Sequence, residues 1–330
     1  MASTTRPVNS PASPGQASQG QVSYDQVICT LYEGDFHLGV AVLINSIVNG
    51  GFRGLFWVGN RGDLPPWTAQ LTRREDGLFQ IGDALLGFET IDSARHFGQF
   101  KPEFMSSVIG KGIARKHIWY IDPDITVRCG WEFFERWVRH GVCLCQEITM
   151  GIMASNHPLR CEWMELARTA GWGEPFRQQE RYYNSGFMGM NIEHRAYLDT
   201  WKAALRLANA SGVKQDQFQK GTRAQTFYTV DQDTMNIATM YAQVPLTTLG
   251  PEGMGFITGG FTMYHSVGRT KPWRKKFLRS ALDGHPPSGG DKHFLRCAGG
   301  PLHPYTSGQL KRKRLSAQWA TLIGRFFRRV

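Results

Sequence analysis

Asp25-Gln26-Val27-Ile28-Cys29-Thr30-Leu31 is a short apolar run of buried-strand character, and the thirty residues after it set the fold class. Helical spacing continues through Leu38, Val42, Leu43, Ile47 and Val48, and Gly54-Leu55-Phe56-Trp57-Val58-Gly59 then supplies a second apolar run bounded by glycines. Strand, helix and strand at this spacing predict a βαβ unit with parallel strands. The pattern recurs around Ile118-Trp119-Tyr120-Ile121 and Val142-Cys143-Leu144, with a helix near Trp131–His140 between them. Farther on, the glycine-rich Gly250–Gly260 and the His/Pro/Gly stretch Asp283–Pro304 read as loops over a site. The fold class is α/β, with a mostly parallel sheet flanked by helices.

Composition sets the outer limits. The chain has 330 residues, of which 41 % are hydrophobic and 20 % charged, enough for a sizeable core in one large domain. Its best apolar run, Gly39 to Val48, contains Asn45 and Ser46, and no stretch reaches the roughly 20 apolar residues of a membrane span. A transmembrane protein, a coiled coil and a wholly disordered chain are excluded. Residues 1–22, rich in Ser, Pro, Gly and Gln, are expected to form a disordered leader, with the folded domain over residues 23–310. The N-terminus lacks the basic start and apolar core of a secretory signal, so a reducing cytoplasm is expected. The six cysteines lack zinc-ribbon spacing, and Cys143 and Cys145 read as small core residues on one face of a strand.

Charge is concentrated at the C-terminus. Residues 311–330 carry Lys311, Arg312, Lys313, Arg314, Arg325, Arg328 and Arg329 and no acid, seven of the chain's net +11. Leu315, Trp319, Leu322, Ile323, Phe326 and Val330 recur there at helical spacing. A basic amphipathic tail with Trp and Phe fits an anionic membrane surface, reached as a peripheral protein on its inner face. A helix packed on its own domain is the alternative, weighed just behind it. The aromatic stripe argues against nucleic acid.

Four clusters carry chemistry. Asp122-Pro123-Asp124 comes directly after the run Ile118–Ile121, at the carboxyl end of a buried strand, where ligands gather in α/β sheets. Two carboxylates one residue apart can share a divalent cation, and the proline stiffens the pair. In His265-Ser266-Val267-Gly268-Arg269-Thr270-Lys271-Pro272-Trp273, a histidine could complete such a site, Gly268 would let backbone approach a ligand, and Lys271 offers a point charge for phosphate. Tyr183-Asn184-Ser185-Gly186 and Asp231-Gln232-Asp233-Thr234-Met235-Asn236 are polar turn clusters leading into regular structure. Asp231 and Asp233 could be caps of a helix beginning near Thr234 or functional groups.

Taken in order, D-x-D, N-S-G, D-Q-D-x-x-N and H-x-x-G-x-x-K-P-W resemble the retaining glycosyltransferases of family 8, the glycogenin and lipopolysaccharide galactosyltransferase type. The resemblance runs from Val27 to Trp273, and its last motif fixes five of nine positions. It implies a single GT-A domain with a Rossmann-like sheet. It further implies Asp122, Asp124 and His265 on a Mn²⁺ or Mg²⁺, with Gly268 and Lys271 on the diphosphate of a UDP-sugar donor. By the same resemblance Thr30, Tyr32 and Phe36 would cup the nucleobase, Lys101 would reach the donor and Asn184 would touch its sugar. Asp231 and Gln232 would lie beside the anomeric carbon. The chain departs from the family at Leu31-Tyr32-Glu33, where small polar residues are usual, and at Phe36, where Tyr is common. Residues 146–174 and 283–304 have no counterpart.

The activity so implied is metal-dependent transfer of glucose or galactose, with retention, to a glycan or glycolipid acceptor. Two alternatives stand beside it: a nucleotidyltransferase or sugar-nucleotide hydrolase on the same fold, and a catalytically idle membrane-surface binding protein.

Overall fold

The computed structural model describes residues 23–217, 222–268 and 270–327. The expected leader, residues 1–22, and the end of the tail, residues 328–330, lie outside the described residues. β1 (Tyr24–Glu33), α1 (His37–Val48) and β2 (Leu55–Arg61) form the expected βαβ unit, with β1 and β2 parallel from Val27 opposite Leu55 to Glu33 opposite Arg61. Next come β3 (Phe79–Ile81), β4 (Ala84–Thr90), α2 (Phe97–Gly110), β5 (Ala114–Ile121), β6 (Ile125–Val127), α3 (Glu132–Trp137) and β7 (Val142–Gln146). The second half holds α4 (Pro158–Thr169), β8 (Tyr183–Asn191), α5 (Ala196–Ala210), α6 (Val230–Tyr241), β9 (Leu246–Leu249), β10 (Met263–His265), α7 (Phe277–Leu282), α8 (Gly289–Cys297) and α9 (Ser307–Phe327).

Eight strands make one sheet in the order β3-β4-β2-β1-β5-β8-β7-β9. Four neighbouring pairs are parallel, while β8 runs antiparallel between β5 and β7. The two-residue period of β1 sends Val27, Cys29 and Leu31 into the core beneath α2, α5 and α6, and Ile28 and Tyr32 into the core beneath α1 and α3. α1 is buried from Gly39 to Ile47 because a third core closes its outer face, with Val42 against Trp273, Phe277 and residues of α8 and α9. Asn45 and Ser46, the polar breaks in that run, are used fully. Asn45 donates to the Cys297 and Leu302 carbonyls and accepts from Leu302 N–H. Ser46 donates to Leu43 O and accepts from Val127 N–H.

Three expectations need correction. Residues 283–304 are not a loop over the site: they contain α8, closed by a capping box between Ser288 and Asp291, which forms the third core instead. Residues 250–260 likewise do not line the cavity at the carboxyl ends of β1 and β5; Phe256 instead packs against the His265 ring from outside it, at 5.9 Å. The helix expected near Thr234 starts a turn earlier, at Val230, so Asp231 and Asp233 lie inside its first turn. Cys143 and Cys145 are free thiols in one core, as expected.

Candidate active site

A cavity of about 560 Å³ opens at the carboxyl ends of β1 and β5. Its floor is the turn after β5, where Asp122 N–H donates to Gly186 O (2.7 Å) and Asp122 O accepts from Ile125 N–H (3.0 Å). The chain then enters a short ribbon in which β6 pairs antiparallel with β10, Ile125 opposite His265. Ser266 N–H donates to Asp124 O at 3.0 Å, which seats the histidine beside the aspartates. His265 Nε2 lies 3.2 Å from Asp124 Oδ1, and Lys271 Nζ 2.5 Å from Asp124 Oδ2. One ligand atom each from Asp122, Asp124 and His265 falls within 4.8 Å of the others. Burial alone would raise the Asp124 carboxyl, but His265 and Lys271 outweigh it and hold the group well below the usual carboxylate range.

The three side chains fit a divalent cation. Two carboxylates and an imidazole are a donor set for Mn²⁺ or Mg²⁺. His265 Nδ1 is buried without a partner, so the ring is oriented by what its other nitrogen meets. Gly186 keeps the space open: a Cβ there would stand 2.5 Å from His265 Cε1, 2.9 Å from Asn184 Oδ1 and 3.0 Å from Asp122 Oδ2.

A second charged group stands on the other side of Asp122. Lys101 is buried on α2, its Nζ 3.1 Å from Asp122 Oδ2, from Asp231 Oδ2 and from Ser185 O. Burial would depress this amine, yet the two aspartates raise it above its ordinary value, so it is a fixed cation. Asp231 also accepts from Ser185 Oγ (2.8 Å); burial favours its protonation, but Lys101 and Ser185 hold it ionised. Gln232 Oε1 accepts from Ser185 N–H, which ties α6 to β8 at the cavity wall, and Asn184 Oδ1 accepts from Gly186 N–H within β8.

α6 is set by two deeper groups. Asn236 bonds both the N–H and the carbonyl of Tyr183 at 2.8 Å. Asp233 accepts from Tyr182 OH and from the N–H groups of Tyr228 and Thr229. Burial outweighs those donors and pushes its carboxyl up to about 7. Asp233 is thus neither a conventional N-cap nor a wall of the cavity.

On the β1 side, Tyr32 and Phe36 line the cavity and Thr30 does not. Thr30 sits within the sheet opposite Val58, its hydroxyl buried, and the cavity begins one residue later, at Leu31. Glu33 pairs with Arg61, and Asp35 is gripped by Arg274 through both carboxylate oxygens. Trp273, next to Arg274, meets the Phe36 ring edge-on at 5.1 Å. Gly268 lines the cavity at φ +104°, a conformation that favours glycine. Asn184, Gln232, Asp231, Lys101 and Lys271 all line it too.

Sequence reading missed His96, Tyr120, Glu147, Arg223, Tyr228 and Thr229 on the same wall. Glu147 comes after β7 as Asp122 comes after β5, and that position was a usable signal. His96 was not readable, since only the packing of α2 brings it near Asp231.

No model of a known protein family matches the chain, and no curated protein matches it. Among solved structures, the galactosyltransferase LgtC, determined in complex with donor and acceptor sugar analogs, superposes with a TM-score of 0.50. The match covers 87 % of this chain and 99 % of LgtC at 14 % identity. The fold is that of a GT-A glycosyltransferase. At this identity the likeness is one of fold. The bifunctional glycosyltransferase WbbM aligns at 14 % identity and a TM-score of 0.49, over 91 % of this chain and 53 % of its own.

Proposed function

We propose that the chain is a metal-dependent, retaining glycosyltransferase of the family 8 type, moving glucose or galactose from a UDP-sugar to a glycan or glycolipid acceptor. The observation that carries the reading is the convergence of Asp122, Asp124 and His265 in one cavity with Lys271, Lys101 and Asp231. Asp122, Asp124 and His265 would hold Mn²⁺ or Mg²⁺, which when bound supplies positive charge for a diphosphate leaving group. Lys271 and the Gly268 backbone would receive the same diphosphate, so negative charge growing there meets a fixed cation. Tyr32 and Phe36 would flank the base. Asn184 would touch the donor sugar, beside Asp231 and Gln232. Asp231, kept ionised by Lys101 and Ser185, would face the positive charge that develops at the anomeric carbon.

Calorimetric titration of UDP with and without Mn²⁺, on the wild type and on Asp124→Ala, tests the donor site. The reading expects metal-dependent binding that the variant loses, and no binding by the wild type refutes it. Product analysis with a UDP-sugar separates transfer from hydrolysis or nucleotidyl transfer, because only a transferase yields acceptor-linked sugar.

We further propose that α9 faces an anionic membrane surface, where a glycolipid acceptor would be met. What supports this is that α9 packs on the third core by one side only and turns Trp319 and Phe326 to solvent. No helix among the described residues is long and apolar enough to cross a membrane. Deleting residues 311–330 would test this poorly, because Ala317 and Ala320 belong to the core and Lys313 holds the Trp273 carbonyl. Trp319→Ser with Phe326→Ser is the cleaner variant; unchanged partition onto anionic vesicles would refute the surface reading.

A further inference from the structure

We propose that the seam between α8 and α9 binds an anionic phospholipid of a bilayer, with the phosphodiester between basic side chains and the upper acyl chain in an apolar groove. The proposal rests on the membrane-facing reading of α9 and adds where the lipid sits.

α9 has two unlike sides. Leu310, Ala317 and Ala320 are buried with Phe277 of α7 and Leu295 of α8. Leu315, Trp319, Leu322 and Phe326, at steps of four, three and four, are 44, 61, 44 and 83 % exposed. At about 100° per residue the two sets lie roughly half a turn apart, so the exposed set is a continuous outward stripe. Lys311, Arg312 and Arg325 flank it, and no acid occurs from Ser307 to Phe327.

The stripe runs into a groove. Leu322 lines a cavity of about 630 Å³ together with Leu295 and Ala317, rimmed by Lys292, Arg296 and Arg314. A second cavity of about 730 Å³ shares Lys292 and Thr321 with it and extends to Arg325. The two cavities adjoin at Lys292 and Thr321, with the apolar groove at Leu295, Ala317 and Leu322 and basic side chains along the edges. Arg314 is committed to the fold, since it donates to the Leu295 and Arg296 carbonyls and so holds α9 against the end of α8. Lys292, Arg296 and Arg325 pair with no carboxylate among the described residues.

This chemistry selects one occupant. A soluble phosphate would use the cations and leave the groove and the stripe in water. A second copy of the chain would set one basic patch against another, because a two-fold contact joins like to like. A bilayer with anionic lipid uses every part: headgroup phosphates meet the three cations, and chains cover Leu322, Trp319 and Phe326.

The test is co-sedimentation of the full chain with phosphatidylcholine vesicles, with and without phosphatidylglycerol. Lys292→Gln/Arg296→Gln probes the seam, and Lys116→Gln/Arg206→Gln, on β5 and α5, removes equal charge elsewhere. All four side chains are exposed, so the variants keep the fold. The wild type is expected to partition onto the anionic vesicles. The seam pair should weaken that partition roughly thirtyfold, and the control pair far less. Equal losses from the two pairs overturn the seam and leave the membrane reading standing. Failure of the wild type to bind either vesicle overturns both.

Discussion

Replacing Gly186 by alanine is the sharpest perturbation of the candidate metal cradle. Gly186 lies in β8 outside the left-handed region, so alanine meets no backbone objection. By itself the change would stabilise the fold by about 0.4–1 kcal/mol through the unfolded chain. The added methyl, however, would lie 2.5 Å from His265 Cε1 and 3.0 Å from Asp122 Oδ2, where ordinary contact begins near 3.4 Å. His265 must retreat by roughly 1 Å. Overpacking of this kind costs about 1–3 kcal/mol, which offsets the gain and leaves a modest net destabilisation. The effect on the metal site is larger, because disturbing the orientation of metal ligands costs up to about 100-fold in metal affinity. With Mn²⁺ supplied at about one hundred times the wild-type Kd, metal-induced stabilisation should fall from about 2.7 to about 0.4 kcal/mol. Urea unfolding with and without Mn²⁺ measures both quantities. Gly189→Ala is the control: its methyl would strike the Trp119 ring at 2.3 Å in the core, so it should lower stability while sparing the metal increment. An intact metal increment in Gly186→Ala would refute the assignment of Asp122 and His265 to one cation.

The same geometry carries three further expected outcomes. Lys101→Met leaves the half-buried Asp122 and Asp231 without their shared cation, so the apo protein should lose about 1.5–3 kcal/mol in urea melts, with Mn²⁺ restoring part of it. Asp233 keeps its proton to about pH 7 in the fold but loses it near about 3.9 when unfolded. Between those values the folded state binds more protons, so stability should fall as pH rises, by up to about 1.4 kcal/mol per unit, and level off above. The wild-type curve minus that of Asp233→Asn isolates this slope, and a flat difference from pH 4 to 7 contradicts it. Lys313 donates to the Trp273 carbonyl at 2.9 Å from the half-buried face of α9, and Trp273 and Arg274 brace Phe36 and Asp35. Lys313→Met should therefore cost about 1–2 kcal/mol of stability and weaken UDP binding, with Lys313→Arg restoring the latter in calorimetry.

The elements legible in the sequence were those set by a short stretch of chain. Alternation along Val27–Leu31 and the helical spacing from Leu38 to Val48 make a strand and a helix wherever they occur, since period and burial are local properties. The same locality placed Asp122-Pro123-Asp124 at the end of a buried strand. It failed for Asp283–Pro304, where turn-forming composition hid the capping box at Ser288 and Asp291. Nor could it show that the cavity opens at Leu31 and not at Thr30, because one residue of difference in where a strand meets a cavity leaves no mark on composition.

Which of these residues meet was a matter for the assembled fold. The β6–β10 ribbon brings positions 140 apart together, setting His265 opposite Ile125, and α2 carries Lys101 to two aspartates that lie 21 and 130 positions farther along the chain. Charge states were settled there as well: Asp231 is ionised and Asp233 holds its proton to neutrality, although they are two residues apart, because one faces Lys101 and the other is fully buried with only neutral donors around it. For α9 the sequence supplied an apolar stripe, and packing split it, Ile323 going to the core and Trp319 to solvent. Periodicity states that a face exists; only the neighbouring helices determine which face is covered.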